Sequence, residues 1–377
     1  MAQRIGVLFG GASTEHKISC LSAYHIAKGL MDAGYEVALV GITLEGEWLP
    51  FNLPIVILQR DDWEEQTRAS LSNSRPFSSF TETGFAPRRT LIQLFNGEVD
   101  AIWPAVHGIN CEDGNLQGFL ELAGFPYVGA GVLASALGMD KVSCKRRCEY
   151  AGIPVVPWEA VTREEILQAE RDEADGGSEL LDRLETKLGY PCFLKPANGG
   201  SSVGTHIVRS REDFISQLQA SSRYDRVVLA ETFVDARELE VAVIGNEELV
   251  VAEVGEIVKP EDIEYYDYEA KYLSENGTSL AIPADITDEV SDTLRTYAAQ
   301  VYQLIGCAGM ARVDFFQDKV DGALYFNEIN TLPGFTSISL YPVAIAKALG
   351  STEAMMTRMV ELALERDQLS TREEAMS

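Results

Sequence analysis

The stretch that decides the fold is QRIGVLFGGASTEHKISCLSAYHIAKGLMDAGYEVALVGI, residues 3–42. Residues 3–9 form a short apolar run that is typical of a buried strand, and a Gly-Gly-Ala-Ser turn at residues 10–13 follows it directly. A helical pattern comes next, and the apolar run 36–42 predicts a second strand. Strand, glycine turn, helix and strand in this order predict a parallel α/β unit at the start of the chain.

Composition excludes several classes of partner. The 377 residues, enough for two or three domains, include 31 Lys and Arg against 58 Asp and Glu, and this net charge of −27 disfavours nucleic acid and anionic membrane. No run of about 18 apolar residues predicts a membrane span, and the first apolar run is too short for a signal peptide, so we expect a cytoplasmic protein. Six scattered cysteines without a CxxC pair favour free thiols over a zinc site.

Further strands and helices are predicted along the rest of the chain. The apolar run 100–106 ends at His107-Gly108, and because active groups of open α/β sheets lie at the carboxyl ends of strands, this turn is a candidate for chemistry. Residues 43–85 are predicted to be an irregular polar insertion, and 261–276 a long loop. The other predicted helices are 135–151, 163–184 with a break at Gly176-Gly177, 288–305 and a final helix with a polar tail; the other predicted strands are 190–195, 226–231, 239–244, 248–254, 311–316 and 324–330.

The two familiar nucleotide-binding motifs, GxGxxG after a strand and GxxxxGK[ST], are missing from the sequence. A different Gly/Ser-rich segment, residues 196–204, directly follows a predicted strand that ends in Lys195. Such a loop can fold over phosphates, with its N–H groups and hydroxyls as donors and the lysine as counter-charge. A mobile surface loop is the alternative that this segment leaves open.

A predicted hairpin near the C-terminus carries polar residues on one face. Arg312 and Asp314 share one face of the first strand, and Glu328 and Asn330 share one face of the second. Asp314, Glu328 and Asn330 would offer three hard oxygen ligands, which suit Mg²⁺. The alternative is an ordinary polar outer face. A rigid turn, TLPGFTS at residues 331–337, follows and would expose backbone N–H groups beside the metal.

A series of short motifs occurs in one order along almost the whole chain. They are GGASTEH at 10–16, HG at 107–108, EDG at 112–114, QG at 117–118, YVG at 127–129, SA at 135–136, MDK at 139–141, KP at 195–196, GSSVG at 200–204, YDYEAKY at 266–272, RVD at 312–314 and NEINTLPGFT at 327–336. With these motifs in this order, the chain resembles the D-alanine–D-alanine ligases of the ATP-grasp superfamily.

The resemblance implies an α/β fold of three-domain ATP-grasp architecture whose C-terminal part is α+β. An N-terminal parallel α/β domain would span 1–138, a central ATP-grasp lobe 139–236, and a C-terminal catalytic lobe 237–377 with a lid loop at 256–280. ATP would bind between the last two. In the implied reaction, ATP phosphorylates the carboxylate of one D-alanine and the amine of a second attacks the acyl phosphate, giving D-Ala-D-Ala for peptidoglycan precursors. A homodimer is also implied.

The resemblance further implies roles for residues that bind ATP and metal. Lys141, Lys195 and Lys271 would neutralise phosphates, with Ser201 and Ser202 in the Gly/Ser loop. The adenine would lie against Glu231 and Val234, and the ribose against Glu238. Two Mg²⁺ ions, for which Mn²⁺ would substitute, would be held by Asp314, Glu328 and Asn330 and would bridge the phosphates, as phosphoryl transfer requires.

Roles in substrate binding and catalysis follow from the same resemblance. Glu15 would anchor the ammonium of the first D-alanine, which His107 would also contact. Arg312 and the Gly334 N–H would stabilise the tetrahedral oxyanion. Ser339 and Leu340 would position the carboxylate of the second D-alanine. Tyr272 would close over the site, hydrogen-bonded through Ser201 to Glu15, and would protect the acyl phosphate from water.

Two positions bear on substrate choice and on strain. Depsipeptide-forming relatives carry a histidine in the lid loop, whereas Tyr272 is neutral and does not repel an ammonium, so we expect dipeptide formation. Ligases that join D-alanine to D-serine or D-lactate, and a non-catalytic nucleotide sensor, are the alternatives. Cys111 stands where the family pattern has glycine. A positive φ there would cost roughly 1 kcal/mol or more, and we expect the turn to tolerate the cysteine.

Overall fold

The structure is a computed structural model that describes residues 2–71, 86–174, 177–200, 202–258 and 279–370. In these ranges the strands form three sheets, each drawn from a successive part of the chain. None of the helices in the same ranges combines the length and apolar character that crossing a bilayer requires.

The first sheet is the predicted parallel unit with additions at both edges. Its elements are β1 (Arg4–Gly10), α1 (His16–Asp32), β2 (Glu36–Ile42), β3 (Trp48–Phe51), α2 (Trp63–Leu71), α3 (Pro87–Leu94), β4 (Ala101–Pro104) and α4 (Asn115–Ala123). The strand order is β3-β2-β1-β4, with β1 parallel to both β2 and β4 and β3 antiparallel to β2. The prediction of an irregular segment at 43–85 is wrong for β3 and α2, where Trp63 packs edge-on against Phe9, while 72–85 lie outside the described residues.

The second sheet is antiparallel and has its own hydrophobic core. The elements of this part are α5 (Val132–Met139), α6 (Lys141–Tyr150), β5 (Trp158–Thr162), α7 (Arg163–Ala174), α8 (Glu179–Leu188), β6 (Cys192–Pro196), β7 (His206–Val208), α9 (Arg211–Ser221) and β8 (Val227–Thr232). The strand order is β5-β8-β6-β7. The predicted single helix 135–151 is two helices, because the Asp140 side chain accepts from Ser143 N (2.7 Å) and starts α6 anew.

The third sheet is built around its longest strands. The elements of this part are β9 (Ala236–Gly245), β10 (Leu249–Val251), β11 (Gly255–Val258), β12 (Ser279–Ala281), α10 (Asp288–Leu304), β13 (Gly309–Asp318), β14 (Leu324–Asn330), α11 (Leu340–Leu349) and α12 (Thr352–Ser370). The order is β12-β11-β9-β13-β14, with β10 paired to β9, and β13 and β14 form the predicted hairpin. The hairpin therefore lies at one edge of this sheet, and β13 is held by β9 on its other side.

The first and third parts of the chain share one hydrophobic core. Phe335 and Tyr341 pack in it with Trp103 of β4, whose ring meets that of Phe335 edge-on at 5.5 Å. A Cβ at Gly29 of α1 would lie 2.5 Å from the Met356 side chain of α12, so the two helices are in close contact. The second sheet instead buries a separate cluster.

The C-terminal helix α12 is more than the predicted helix with a polar tail. Arg366 donates to the carbonyls of Tyr127 (2.8 Å) and Gly129, and its guanidinium lies 4.2 Å from the centre of the Tyr127 ring. These contacts of Arg366 attach α12 to the loop that leads into α5.

At Gly10, the end of β1, there is no space for any side chain. Gly10 has φ +85°, and an added Cβ would lie 2.1 Å from the carbonyl oxygen of Ile42, whereas Gly34 has φ +90° with open space around it. We expect Gly34→Ala to lower the free energy of unfolding by about 1–2 kcal/mol, the cost of the backbone conformation. Gly10→Ala should cost roughly 1–3 kcal/mol more, because the neighbouring strand must move. Denaturant unfolding of the two variants measures the difference; equal losses would contradict it.

Candidate active site

A cleft where the three parts of the chain meet brings together seven of the predicted site residues. Its walls come from the turn after β1, the turn after β4, the start of α6, the Gly/Ser loop and the end of the β13–β14 hairpin. The predicted site residues that line it are Glu15, His107, Lys141, Arg312, Glu328, Asn330 and Gly334.

Glu15 lies where the first part of the chain meets the Gly/Ser loop. A Cβ at Gly108 would lie 2.8 Å from Glu15 Oε2, and one at Gly200 would lie 3.4 Å from the same oxygen. Both glycines thus let their backbones approach the carboxylate closely. The Glu15 side chain is placed by the turns after β1 and β4, the carboxyl-end position at which the sequence predicts chemistry.

His107 joins the first sheet to the turn after β14. Its Nδ1 lies 3.1 Å from the carbonyl oxygen of Leu332 and 3.3 Å from Glu112 Oε1, so this nitrogen carries a proton. The Ser22 hydroxyl donates to Nε2 (3.2 Å) and accepts from the Phe335 N–H (3.2 Å). Burial alone would lower the pKa of His107, but the Glu112 carboxylate, with smaller contributions from Glu15 and the Leu332 carbonyl, outweighs it and the pKa is raised above 6.5.

The hairpin places the predicted metal ligands side by side. Asp314 is opposite Glu328 across the two strands, and the Asn330 amide donates to Asp314 Oδ2 (2.9 Å). Two carboxylates and an amide oxygen on one face suit a hard cation such as Mg²⁺, which leaves other positions to water and phosphate. In the described ranges no three His, Cys, Asp or Glu side chains form a metal-binding group by themselves.

Arg312 is held by carboxylates on both sides. It donates from Nε and Nη2 to the two oxygens of Asp314, each at 2.7 Å, and its Nε lies 3.2 Å from Glu240 Oε2 on β9. Glu240 is buried and opposite Asp314 across β9 and β13. The sequence prediction missed it, although its two-residue spacing from Glu238 on a strand places both on one face.

A bulge in the hairpin links it to the second sheet. The pairing shifts between Asp314 and Phe315, which leaves Asn327 as an extra residue on β14. Bulges redirect side chains, and Asn327 Oδ1 here accepts from Lys195 Nζ (3.1 Å). The predicted hairpin did not reveal this contact, because a bulge leaves no distinct mark in the sequence.

The two predicted phosphate-binding lysines in the described residues are buried and paired. Lys141 Nζ donates to the Gly199 carbonyl (2.6 Å) and lies 3.4 Å from Glu328 Oε2. Lys195 Nζ lies 2.6 Å from Glu231 Oε2. Lys141 therefore joins the Gly/Ser loop to the metal ligands, and Lys195 lies behind the same loop at the end of β6.

The Glu231 carboxylate forms ion pairs with two lysines. Its side chain is 3% exposed, and its oxygens contact Lys195 and a second lysine, Lys145, each at 2.6 Å. Burial alone would raise the pKa of Glu231, but the two ammonium groups lower it to about 2. A contact with adenine at this position would therefore use main-chain groups, as at Val234.

Several other predicted residues do not line the cleft. Ser339 Oγ accepts from the Thr336 N–H (3.0 Å), and the Leu340 side chain is buried. Glu238 lies on β9 opposite Phe316, and Ser202 has φ +58° in the Gly/Ser loop. The residues of the prediction that fall outside the described ones are Ser201, Lys271, Tyr272 and positions 259–278 of the predicted lid loop.

Cys111 is not strained. The positive φ in its turn falls on Asn110 (+67°), a residue that tolerates it, and on Gly108 and Gly114, so the expected tolerance of the cysteine is confirmed. Burial raises the pKa of Cys111 to about 12, so its thiol is not a nucleophile at neutral pH. All six cysteines are buried free thiols, as predicted.

Two family profiles match two successive parts of the chain, and both parts contribute residues to this cleft. The profile described as D-ala D-ala ligase N-terminus matches residues 4–130, and the one described as D-ala D-ala ligase C-terminus matches residues 148–361. The chain belongs to the D-alanine–D-alanine ligase family. The resemblance stated from the motifs is thereby confirmed.

Individual members of the D-alanine–D-alanine ligase family are similar over the full length. The D-alanine–D-alanine ligase of Acetivibrio thermocellus is 40% identical over 372 residues, which cover 97% of this chain and 96% of the relative. D-alanine–D-alanine ligase A of Escherichia coli is 40% identical over 368 residues, covering 96% of each.

Solved structures agree with the sequence comparison. The D-alanine–D-alanine ligase from Coxiella burnetii superposes with a TM-score of 0.78 at 30% identity, over 98% of this chain and 96% of that one. The VanG D-Ala:D-Ser ligase from Enterococcus faecalis gives 0.77 at 30%, over 96% and 100%. The predicted α/β ATP-grasp fold class is confirmed.

The His107–Glu112 pair gives a measurable pH dependence. Since the folded-state pKa of His107 is above 6.5, its contribution to stability is complete below pH 6.5 and is lost as the pH rises through the folded-state pKa. Glu112→Gln should lower the pKa of His107 and remove the loss of stability at rising pH. NMR titration of the histidine ring protons measures the pKa of His107. His25 and His206, whose pKa values burial lowers, are internal controls. An unchanged His107 titration in the variant would show that Glu112 is not the cause.

Proposed function

We propose that the chain is an ATP-dependent ligase that joins two molecules of D-alanine. The γ-phosphoryl group of ATP passes to the carboxylate of the first D-alanine, and the amine of the second displaces phosphate to form the peptide bond. The observation that carries this proposal is the cleft itself. Glu15, Arg312, Gly334, Glu328 and Asn330 line it together. This supports the roles proposed for Glu15 as ammonium anchor, for Arg312 and the Gly334 N–H as oxyanion donors, and for Glu328 and Asn330 as metal ligands.

The charges around the cleft suit each stage of this reaction. Lys141 and Lys195 lie at the Gly/Ser loop, where their ammonium groups would bind the ATP phosphates. When bound, Mg²⁺ at Asp314, Glu328 and Asn330 would neutralise phosphate charge, and we propose two such ions, with Mn²⁺ as a substitute. Arg312, already oriented by Asp314 and Glu240, would donate to the oxyanion without further reorganisation.

The second D-alanine would bind at the start of α11. A helix N-terminus presents unpaired N–H groups that bind carboxylates, and Ser339 precedes the first residue of this helix, Leu340. The buried Leu340 side chain then serves to hold the helix, while the main chain contacts the ligand. This arrangement supports the roles that the sequence resemblance implies for both residues.

Four further parts of the proposal rest on the family and on the sequence. Tyr272 and Lys271 would close the site, and a tyrosine at this position favours an amine acceptor over D-lactate. The protein would work in the cytoplasm, as a homodimer. D-serine as acceptor is the second candidate, since the VanG D-Ala:D-Ser ligase has a similar fold at 30% identity.

Product analysis tests the reaction directly. Purified protein with Mg-ATP and D-alanine should release phosphate in a D-alanine-dependent manner and form D-Ala-D-Ala. Parallel assays with D-serine or D-lactate as acceptor should give less product at neutral pH. Phosphate release that does not depend on D-alanine would overturn the proposal. Preferential coupling of D-lactate would overturn the argument from Tyr272.

The proposed role of Arg312 in catalysis can be tested separately from ATP binding. We expect Arg312→Ala to lower kcat by about 10²–10³, the usual effect of removing one oxyanion donor, while the affinity for Mg-ATP changes little. Arg183→Ala is the matched control, because Arg183 is an exposed arginine paired with Glu159 and Glu165. Calorimetric titration with Mg-ATP and a phosphate-release assay measure the two effects. Loss of ATP binding would show that Arg312 has a different role.

A further inference from the structure

Lys145 is a buried lysine without a role in the proposed reaction. It lies on α6 one turn after Lys141, so both side chains leave the same face of the helix. Its side chain is 1% exposed, and its Nζ donates to the carbonyl oxygen of Phe326 (3.4 Å). Such complete burial prevents Lys145 from touching a ligand in the cleft.

The cluster that contains Lys145 has two ammonium groups and one carboxylate. Glu231 Oε1 lies 2.6 Å from Lys145 Nζ, and Glu231 Oε2 lies 2.6 Å from Lys195 Nζ. Burial lowers the pKa of Lys145, an effect that the facing Glu231 opposes. With all three groups ionised, the cluster has a net charge of +1.

This charge balance decides what Lys195 can offer to a phosphate. Without Lys145, Glu231 and Lys195 would form a neutral buried pair, and repulsion by the Glu231 carboxylate would offset part of the attraction of Lys195 for an incoming phosphate. In a poorly solvated site this repulsion is screened little. Lys145 offsets the carboxylate from behind, which leaves the positive charge of Lys195 uncompensated toward the Gly/Ser loop.

We propose that Lys145 is a positioning residue for ATP, which acts through Glu231 to keep Lys195 both fixed and electrostatically available to the phosphates. The inference rests on the proposed function in one respect, the binding of ATP beside Lys195. A purely structural ion pair is the competing explanation, and a buried ion pair is by itself weak support for stability.

The affinity for Mg-ATP should follow the net charge of the cluster. Lys145→Met leaves the neutral pair and should weaken binding about tenfold or more. The double variant Lys145→Met/Glu231→Gln restores +1 and should recover most of the affinity that Lys145→Met loses, and Glu231→Gln alone, with a cluster charge of +2, should bind more tightly than the double variant. Lys187→Met is the matched control, because Lys187 is an exposed lysine of the same part of the chain, paired with Glu159.

Calorimetric titration of the full-length protein with Mg-ATP gives these affinities, and steady-state kinetics should show a raised KM for ATP with an unchanged KM for D-alanine. Wild-type affinity in Lys145→Met would overturn the inference. Equal weakening in the single and double variants would show a structural role instead. If Lys145→Met does not fold, Glu231→Gln must still bind more tightly than the double variant, and equal affinities of these two variants would overturn the inference. Wild-type protein that binds ATP but does not use D-alanine would overturn the proposed function and leave this comparison valid.

Discussion

The active site depends on the contact between the turn after β4 and the turn after β14. His107 donates to the Leu332 carbonyl, and Ser22 accepts from the Phe335 N–H, so polar groups of the first sheet fix a loop that is 225 residues away in sequence from His107. That loop begins directly after Asn330, the last predicted metal ligand, and contains the predicted oxyanion donor Gly334. The position of Glu15 relative to Arg312 is therefore set by hydrogen bonds that the shared hydrophobic core around Phe335 shields from water.

A protein with a net charge of −27 can bind a polyanion because its charges are sorted by location. Cations at the cleft are buried or partly buried and each faces a carboxylate, as in the pairs Lys141–Glu328 and Arg312–Asp314. Many acids lie elsewhere, for example on α7 and α8, where Arg211 pairs with Glu173, Asp182 and Glu185 at the surface. Such exposed pairs contribute little and are screened by salt, whereas the buried ones act over the short distances that matter to a ligand.

The sequence predicts the parts of this site that depend on local pattern. Apolar runs and glycine turns indicated the β1–α1–β2 unit, and two-residue spacing placed Asp314 beside Arg312 and Glu328 beside Asn330. Contacts made between distant segments were missed: Glu240 through the pairing of β9 with β13, Asn327 through a bulge, and the short strand β3 within a polar segment. Lys145 had a visible signal in its four-residue spacing from Lys141, but only the packing against β14 and β8 shows that it faces Glu231.

The sharing of one core by the two ends of the chain has a consequence for biosynthesis. The apolar face of α1 is covered by α12, which is synthesised long after the first sheet, so the first 130 residues expose that face until α12 has left the ribosome. The second sheet has a separate core drawn from residues 161–230 and can close while synthesis continues. The middle of the chain would thus fold before its beginning, and the N-terminal region is the segment that most needs protection from aggregation in the nascent polypeptide.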